Sequence, residues 1–211
     1  MRAYIEPFIL YWVLFIPTIG PSNSSTAFIP FNTASELNRV FFYDLPALFL
    51  ILYLLFRDTS SSSVGYTKPR KQDALIALVS FGIVSTISFF ISWASSSLFH
   101  GPDILFVEAP RGFVRWIVAI FAGLSTAYFE ETFFRAYLLK RFAEGGLSAS
   151  KSILIQALLF SLCHLYEGPW GVINAFIAGI VFALAFRRGF SVHGPAWAHG
   201  AYNLLIYAMG S

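Results

Sequence analysis

Residues 121–142 read FAGLSTAYFEETFFRAYLLKRF. The stretch is long and apolar enough for a membrane-crossing helix, yet Glu130, Glu131 and Arg135 sit inside it, well before Lys140. At about 1.5 Å of helix per residue, Glu130 lies roughly 15 Å inside the basic pair Lys140 and Arg141. A charge held at the centre of a bilayer costs about 2.5–3.5 kcal/mol on insertion scales. Three of them cannot face lipid together. They need other helices around them, or a wet cavity between those helices. The fold class is therefore all-α: a polytopic transmembrane helix bundle.

The rest of the chain agrees. Its 211 residues are 57% hydrophobic, 18% aromatic and only 12% charged, with 24 Phe. A soluble domain carries about 25% charged residues. One aqueous core cannot hide so much apolar surface, and the surplus must face lipid. A bilayer core needs about 20 apolar residues as helix. Hydropathy places spans at about Pro7–Thr18, Arg39–Phe56, Ala74–Phe99, Gly112–Leu139, Ser152–Tyr166, Val172–Phe186 and Pro195–Met209. That makes seven spans. An eighth element or a re-entrant segment would be invisible to this reading. Pro46 predicts a kink in the second span. The first, fifth and seventh are short, which predicts tilt or snorkelling flanks. The connections carry Pro21, Pro30, the serine run 60–63, Gly101, Pro102 and Pro110. No internal repeat is visible, so residues 1–211 read as one domain, with its chemistry on the helices of residues 113–210.

Charge sets the expected orientation. Cytoplasmic loops are rich in Lys and Arg. With the N-terminus inside, Arg2, Arg57, Lys68, Arg70, Lys71, Lys140, Arg141, Lys151, Arg187 and Arg188 share the cytoplasmic side, against Arg39, Arg111 and Arg115 on the other. Trp116 and Trp170 near the outer face and Trp197 near the inner face suit interfacial belts. The formal net charge of +3 reflects those basic loops, not a nucleic-acid surface. Residues 1–25 have one basic residue and no clean cleavage site, so a retained first span is expected over a cleaved signal. The lone Cys163 forms no intramolecular disulfide framework.

The polar residues inside the spans carry the functional reading. Glu131 and Arg135 are i,i+4 and can pair on one helix face. Glu130 is turned about 100° away and has no local partner. The fifth span ends FSLCHLY, with His164 about 20 Å from Lys151 if the stretch is helical. In the seventh, PAWAHGAYN puts His199 and Asn203 on one face, no more than about 16 Å past Arg188. Three separate spans thus bring Glu130, His164 and His199 to comparable depth. Each histidine alone reads as a hydrogen-bonded core residue, and Glu131 with Arg135 reads equally as a structural ion pair. Together, two histidines, a carboxylate and an amide can polarise a water and hold an oxyanion. The same Glu130, His164 and His199 could instead ligate zinc, with an open fourth position. Cys163 and His164 point about 100° apart on a helix, so a Cys–His nucleophile is not expected. His100 and His193 read as solvated loop residues. Asp44 reads as interfacial or associated with Pro46. Gly123, Gly171, Gly179 and Gly200 suit close helix approach.

EETFFR, FSLCH and HGAYN match the patterns EExxxR, FxxxH and HxxxN, in that order on three membrane helices. The chain resembles the CPBP family of CAAX-type prenyl proteases and bacteriocin-processing enzymes, over roughly residues 113–210. The resemblance implies an intramembrane peptidase. Glu130 and His164 would activate the attacking water, His199 and Asn203 would hold the oxyanion, and Glu131 and Arg135 would fix the geometry. It implies a polypeptide or lipidated peptide substrate at a lipid bilayer, in the style of prokaryotic inner-membrane members. It leaves zinc open. The absence of HExxH and the Asn in place of a third strong ligand favour a mechanism without a cofactor. Alternatives are a transporter using the charges as a proton relay, a haem protein with His164 and His199 as axial ligands, and an idle immunity-type relative.

Overall fold

In a computed structural model, residues 2–15, 28–57, 59–98 and 106–210 are described. Seven helices follow one another: α1 (Arg2–Phe15), α2 (Thr33–Phe56), α3 (Lys71–Leu98), α4 (Phe113–Glu144), α5 (Ala149–Leu162), α6 (Gly168–Gly189) and α7 (His193–Met209). A two-residue parallel strand pair, β1 (Phe28–Ile29) with β2 (Phe106–Val107), is the sole addition to an otherwise helical fold among the described residues. Four helices are long and apolar enough to cross a membrane: α2, α3, α4 and α6 with the turn before it. Helices α1 and α5 are apolar but shorter. The expected end of the first span at Thr18, the end of the third at Phe99, and His100 lie outside the described residues.

Most helices overrun the hydropathy boundaries because polar caps and basic ends continue the backbone pattern. Helix α2 starts at Thr33, not Arg39, because Asn32 caps it by accepting the Ser35 amide at 3.0 Å. Helix α4 runs on through the basic pair to Glu144. Helix α5 is the exception. It stops at Leu162, and Cys163 and His164 form a turn beyond it. Two stretches are π-helical, Val40–Asp44 in α2 and Thr132–Leu138 in α4. In α2 the irregular stretch falls just before Pro46, which lacks the amide hydrogen for a regular ladder.

Helix α3 packs against α6 and α7, α4 against α2 and α7, and α5 against α6. The core is aromatic. Phe15 stacks on Phe129 at 5.1 Å between centroids and meets Phe133 and Phe134 at 4.9 and 5.0 Å. Helix α1 is tied to α2 and α4 by polar tips: Tyr43 donates to the Leu14 carbonyl, and Tyr4 to that of Gly145. Gly179 lets α6 touch α5, since a Cβ there would stand 3.1 Å from Ala157 Cα. Outward, Phe42, Leu78 and Phe113 are exposed, as lipid-facing residues should be. Trp197 is half-buried and donates to the Tyr128 hydroxyl at 2.9 Å.

Candidate active site

The two adjacent glutamates of α4 face different surroundings, as a 100° turn requires. Glu131 and Arg135 are fully buried and pair at 3.0 Å between Oε2 and Nε. The Arg135 guanidinium lies 4.8 Å from the Phe160 ring centroid and 5.6 Å from that of Phe182. Those ring faces stabilise a cation that water cannot reach. Arg135 falls within the π-helical stretch, whose residues are all buried. Such segments concentrate at functional sites. Glu130 instead lines a cavity of about 630 Å³ between α3, α4, α6 and α7.

His199 bridges the two carboxylates. Its Nδ1 is 3.0 Å from Glu131 Oε1, and its Nε2 is 3.8 Å from Glu130 Oε2. A carboxylate accepts, so Nδ1 carries a proton directed at Glu131. This leaves Nε2 facing Glu130 and the cavity. The ring stacks on Phe182 at 5.3 Å. Arg135, Glu131 and His199 thus form a continuous line that fixes the imidazole, as a second carboxylate orients a working histidine.

His164 sits in the turn after α5 and also lines the cavity. Its Nδ1 is 2.9 Å from the Phe160 carbonyl, which can only accept. In the neutral ring Nε2 is then the free acceptor. Asn203, one turn beyond His199 on α7, lines the same cavity. So Glu130, His164, His199 and Asn203 converge on one space, while Glu131 and Arg135 stand behind it.

Sequence reasoning missed several polar groups. Asp44 is not interfacial: it is 1% exposed and accepts a hydrogen bond from Thr126 at 2.7 Å. Thr126 lines the cavity one turn before Glu130. The i,i+4 spacing of Thr126 and Glu130 was available as a signal, but Asp44 lies on another helix. His193 is not solvated. It begins α7, with Nε2 2.7 Å from the Thr67 carbonyl and Nδ1 2.9 Å from the Tyr128 hydroxyl. Ser88, Asn174 and Tyr202 close a ring of hydrogen bonds on the cavity wall. Ser88 donates to Asn174 at 2.7 Å, Asn174 to Tyr202 at 3.0 Å, and Tyr202 to Ser88 at 2.9 Å. Cys163 is buried and packs, as expected.

A zinc site of this kind needs three side-chain ligands around one point. Among the described residues no three His, Cys, Asp or Glu side chains are placed to hold one ion. With His199 Nδ1 on Glu131, Nε2 is the ring nitrogen left toward the cavity.

A family model described as type II CAAX prenyl endopeptidase, Rce1-like, matches residues 111–205. That stretch, just under half of the chain, is similar to this family. The match runs from the start of α4 into α7 and includes Glu130, Glu131, Arg135, His164, His199 and Asn203. No curated protein and no solved structure matches the chain. The four long apolar helices make the chain an integral membrane protein, and its matched stretch is similar to a CAAX-type protease.

Proposed function

We propose that the chain is an intramembrane endopeptidase that hydrolyses a peptide bond with a water activated by Glu130. The observation that carries this reading is the convergence of Glu130, His164, His199 and Asn203 on one cavity. Glu130 accepts a proton as the water oxygen attacks the carbonyl carbon. His164, held by the Phe160 carbonyl, orients that water through its free Nε2. The charge developing on the carbonyl oxygen is met by the Asn203 amide and by His199. With Nδ1 directed at Glu131, His199 donates from Nε2 when the ring carries both protons. Collapse of the intermediate breaks the C–N bond, and the proton held by Glu130 passes to the leaving amine. The water oxygen ends in the new carboxylate. Positioned proton transfer of this kind contributes about 10²–10⁴-fold, and a lost oxyanion donor costs about 10²–10³-fold.

We read all seven helices as spanning the membrane with the basic ends cytoplasmic, a prokaryotic inner membrane being the natural setting. The test is cleavage of a membrane-presented polypeptide library by the purified protein in liposomes. Asn203→Ala and His164→Gln should lose about 10²-fold or more in kcat with the fold intact. Unchanged turnover in both variants would remove the basis of the proposal. Chelators should leave turnover unaltered. Loss on chelation with recovery on adding zinc would contradict the roles given to these side chains.

A further inference from the structure

The cavity has a direction that the family does not supply. Its floor lies at His199, Glu130 and Phe182, with Phe160 beside them. Behind that floor are the buried Glu131–Arg135 pair and the rings packed on it. Its lining then continues one way along each helix. On α3 it takes in Ser85, Ser92 and Ser96, roughly 21 to 37 Å from the start of that helix at Lys71. On α7 it runs from His199 to Met209, the end of the helix. Its rim includes Arg39 near the start of α2 and Glu167 in the turn before α6.

Most basic residues occupy the other ends of these same helices, with Arg39, Arg111 and Arg115 at the cavity's end. Arg57 follows α2, Arg70 and Lys71 begin α3, Lys140 and Arg141 close α4, Lys151 begins α5, and Arg187 and Arg188 close α6. A second cavity of about 490 Å³ opens on that basic side, lined by Lys140, Arg187 and Arg135. It does not include Glu130, His164, His199 or Asn203. A chain entering from the basic face would have to displace the Arg135–Glu131 pair, and breaking such a buried pair is strongly unfavourable. The orientation rule places Lys- and Arg-rich ends in the cytoplasm.

We infer that the catalytic cavity opens on the extracytoplasmic face, so its substrate is a polypeptide segment presented from outside the cytoplasm. The occupant is an extended chain that reaches down past the Ser85–Ser96 wall of α3 to the floor. The serines and the Ser88–Asn174–Tyr202 ring offer hydrogen-bonding groups along that wall, and Phe89, Trp93, Ile206 and Met209 take apolar side chains. This rests on the endopeptidase reading for the word substrate, but not for the side of entry.

The entry side is tested by cysteine labelling in cells expressing the full chain. The single native Cys163 is buried, so wild type gives a low background. Ser96→Cys stands in the cavity near its rim, and Ser150→Cys stands at the basic start of α5. A membrane-impermeant maleimide should label Ser96→Cys in intact cells to the level seen after the cells are opened. Ser150→Cys should label only after opening. Labelling of Ser96→Cys only in opened cells, or in neither state, overturns the proposal, as does labelling of Ser150→Cys in intact cells. If the labelling pattern holds while no polypeptide is cleaved, the endopeptidase reading fails and the entry side stands.

Discussion

Glu130 and Glu131 are neighbours with separate duties. Glu131 is fully buried between Arg135 and His199. Glu131→Gln would leave the Arg135 guanidinium without a countercharge, which costs about 3–5 kcal/mol in a buried site. Thermal unfolding in detergent should show a large drop. The double variant Glu131→Gln with Arg135→Met should recover part of it, because no orphaned charge remains. A double variant no more stable than Glu131→Gln alone would show that the pair does not act as a unit. Tyr202→Phe removes two of the ring's three hydrogen bonds and leaves Asn174 and Ser88 each short of a partner. Unpaired buried polar groups cost about 1–3 kcal/mol. Turnover should fall as the α7 face carrying Asn203 loosens, and a Tyr202→Phe protein as stable and active as wild type would contradict this.

At the scale of the helices, close approach and irregular turns set where these groups stand. Gly179→Ala pushes a methyl against Ala157, and overpacking of this kind costs about 1–3 kcal/mol. Gly82→Ala on α3 meets nothing within 4 Å and should be neutral or stabilising by up to about 1 kcal/mol, since Ala favours helix. Melting temperatures of the two variants should move in opposite directions or differ clearly. Equal shifts would mean that the α5–α6 contact is slack. Sequence reading located the seven helices because lipid enforces long apolar runs, and it located Glu130, Glu131 and Arg135 because lipid penalises charge. It found His164, His199 and Asn203 by depth along regular helices. It placed His164 on a helix, whereas the backbone turns after Leu162. It could not see the π-helical stretch Thr132–Leu138, because backbone hydrogen-bond registry leaves no mark on hydropathy. Asp44 escaped because its partner Thr126 belongs to another helix, and only packing joins them.

The whole molecule is polarised. One end of the bundle carries most of the basic residues and the smaller cavity, and the other carries the mouth of the cavity on which Glu130, His164, His199 and Asn203 converge. Between the two lies an aromatic core around the buried Glu131–Arg135 pair. That arrangement keeps water and substrate on one side of the chemistry and fixes the histidine from the other. Its central claim is that Glu130 makes water the nucleophile. The most direct measurement is cleavage in liposomes prepared in ¹⁸O-labelled water, comparing wild type with a folded Glu130→Gln protein by mass spectrometry of the products. Wild type should place one ¹⁸O in the new carboxyl terminus, and Glu130→Gln should cut about 10²–10⁴-fold more slowly. A Glu130→Gln protein that cleaves at the wild-type rate with the same label would contradict the account.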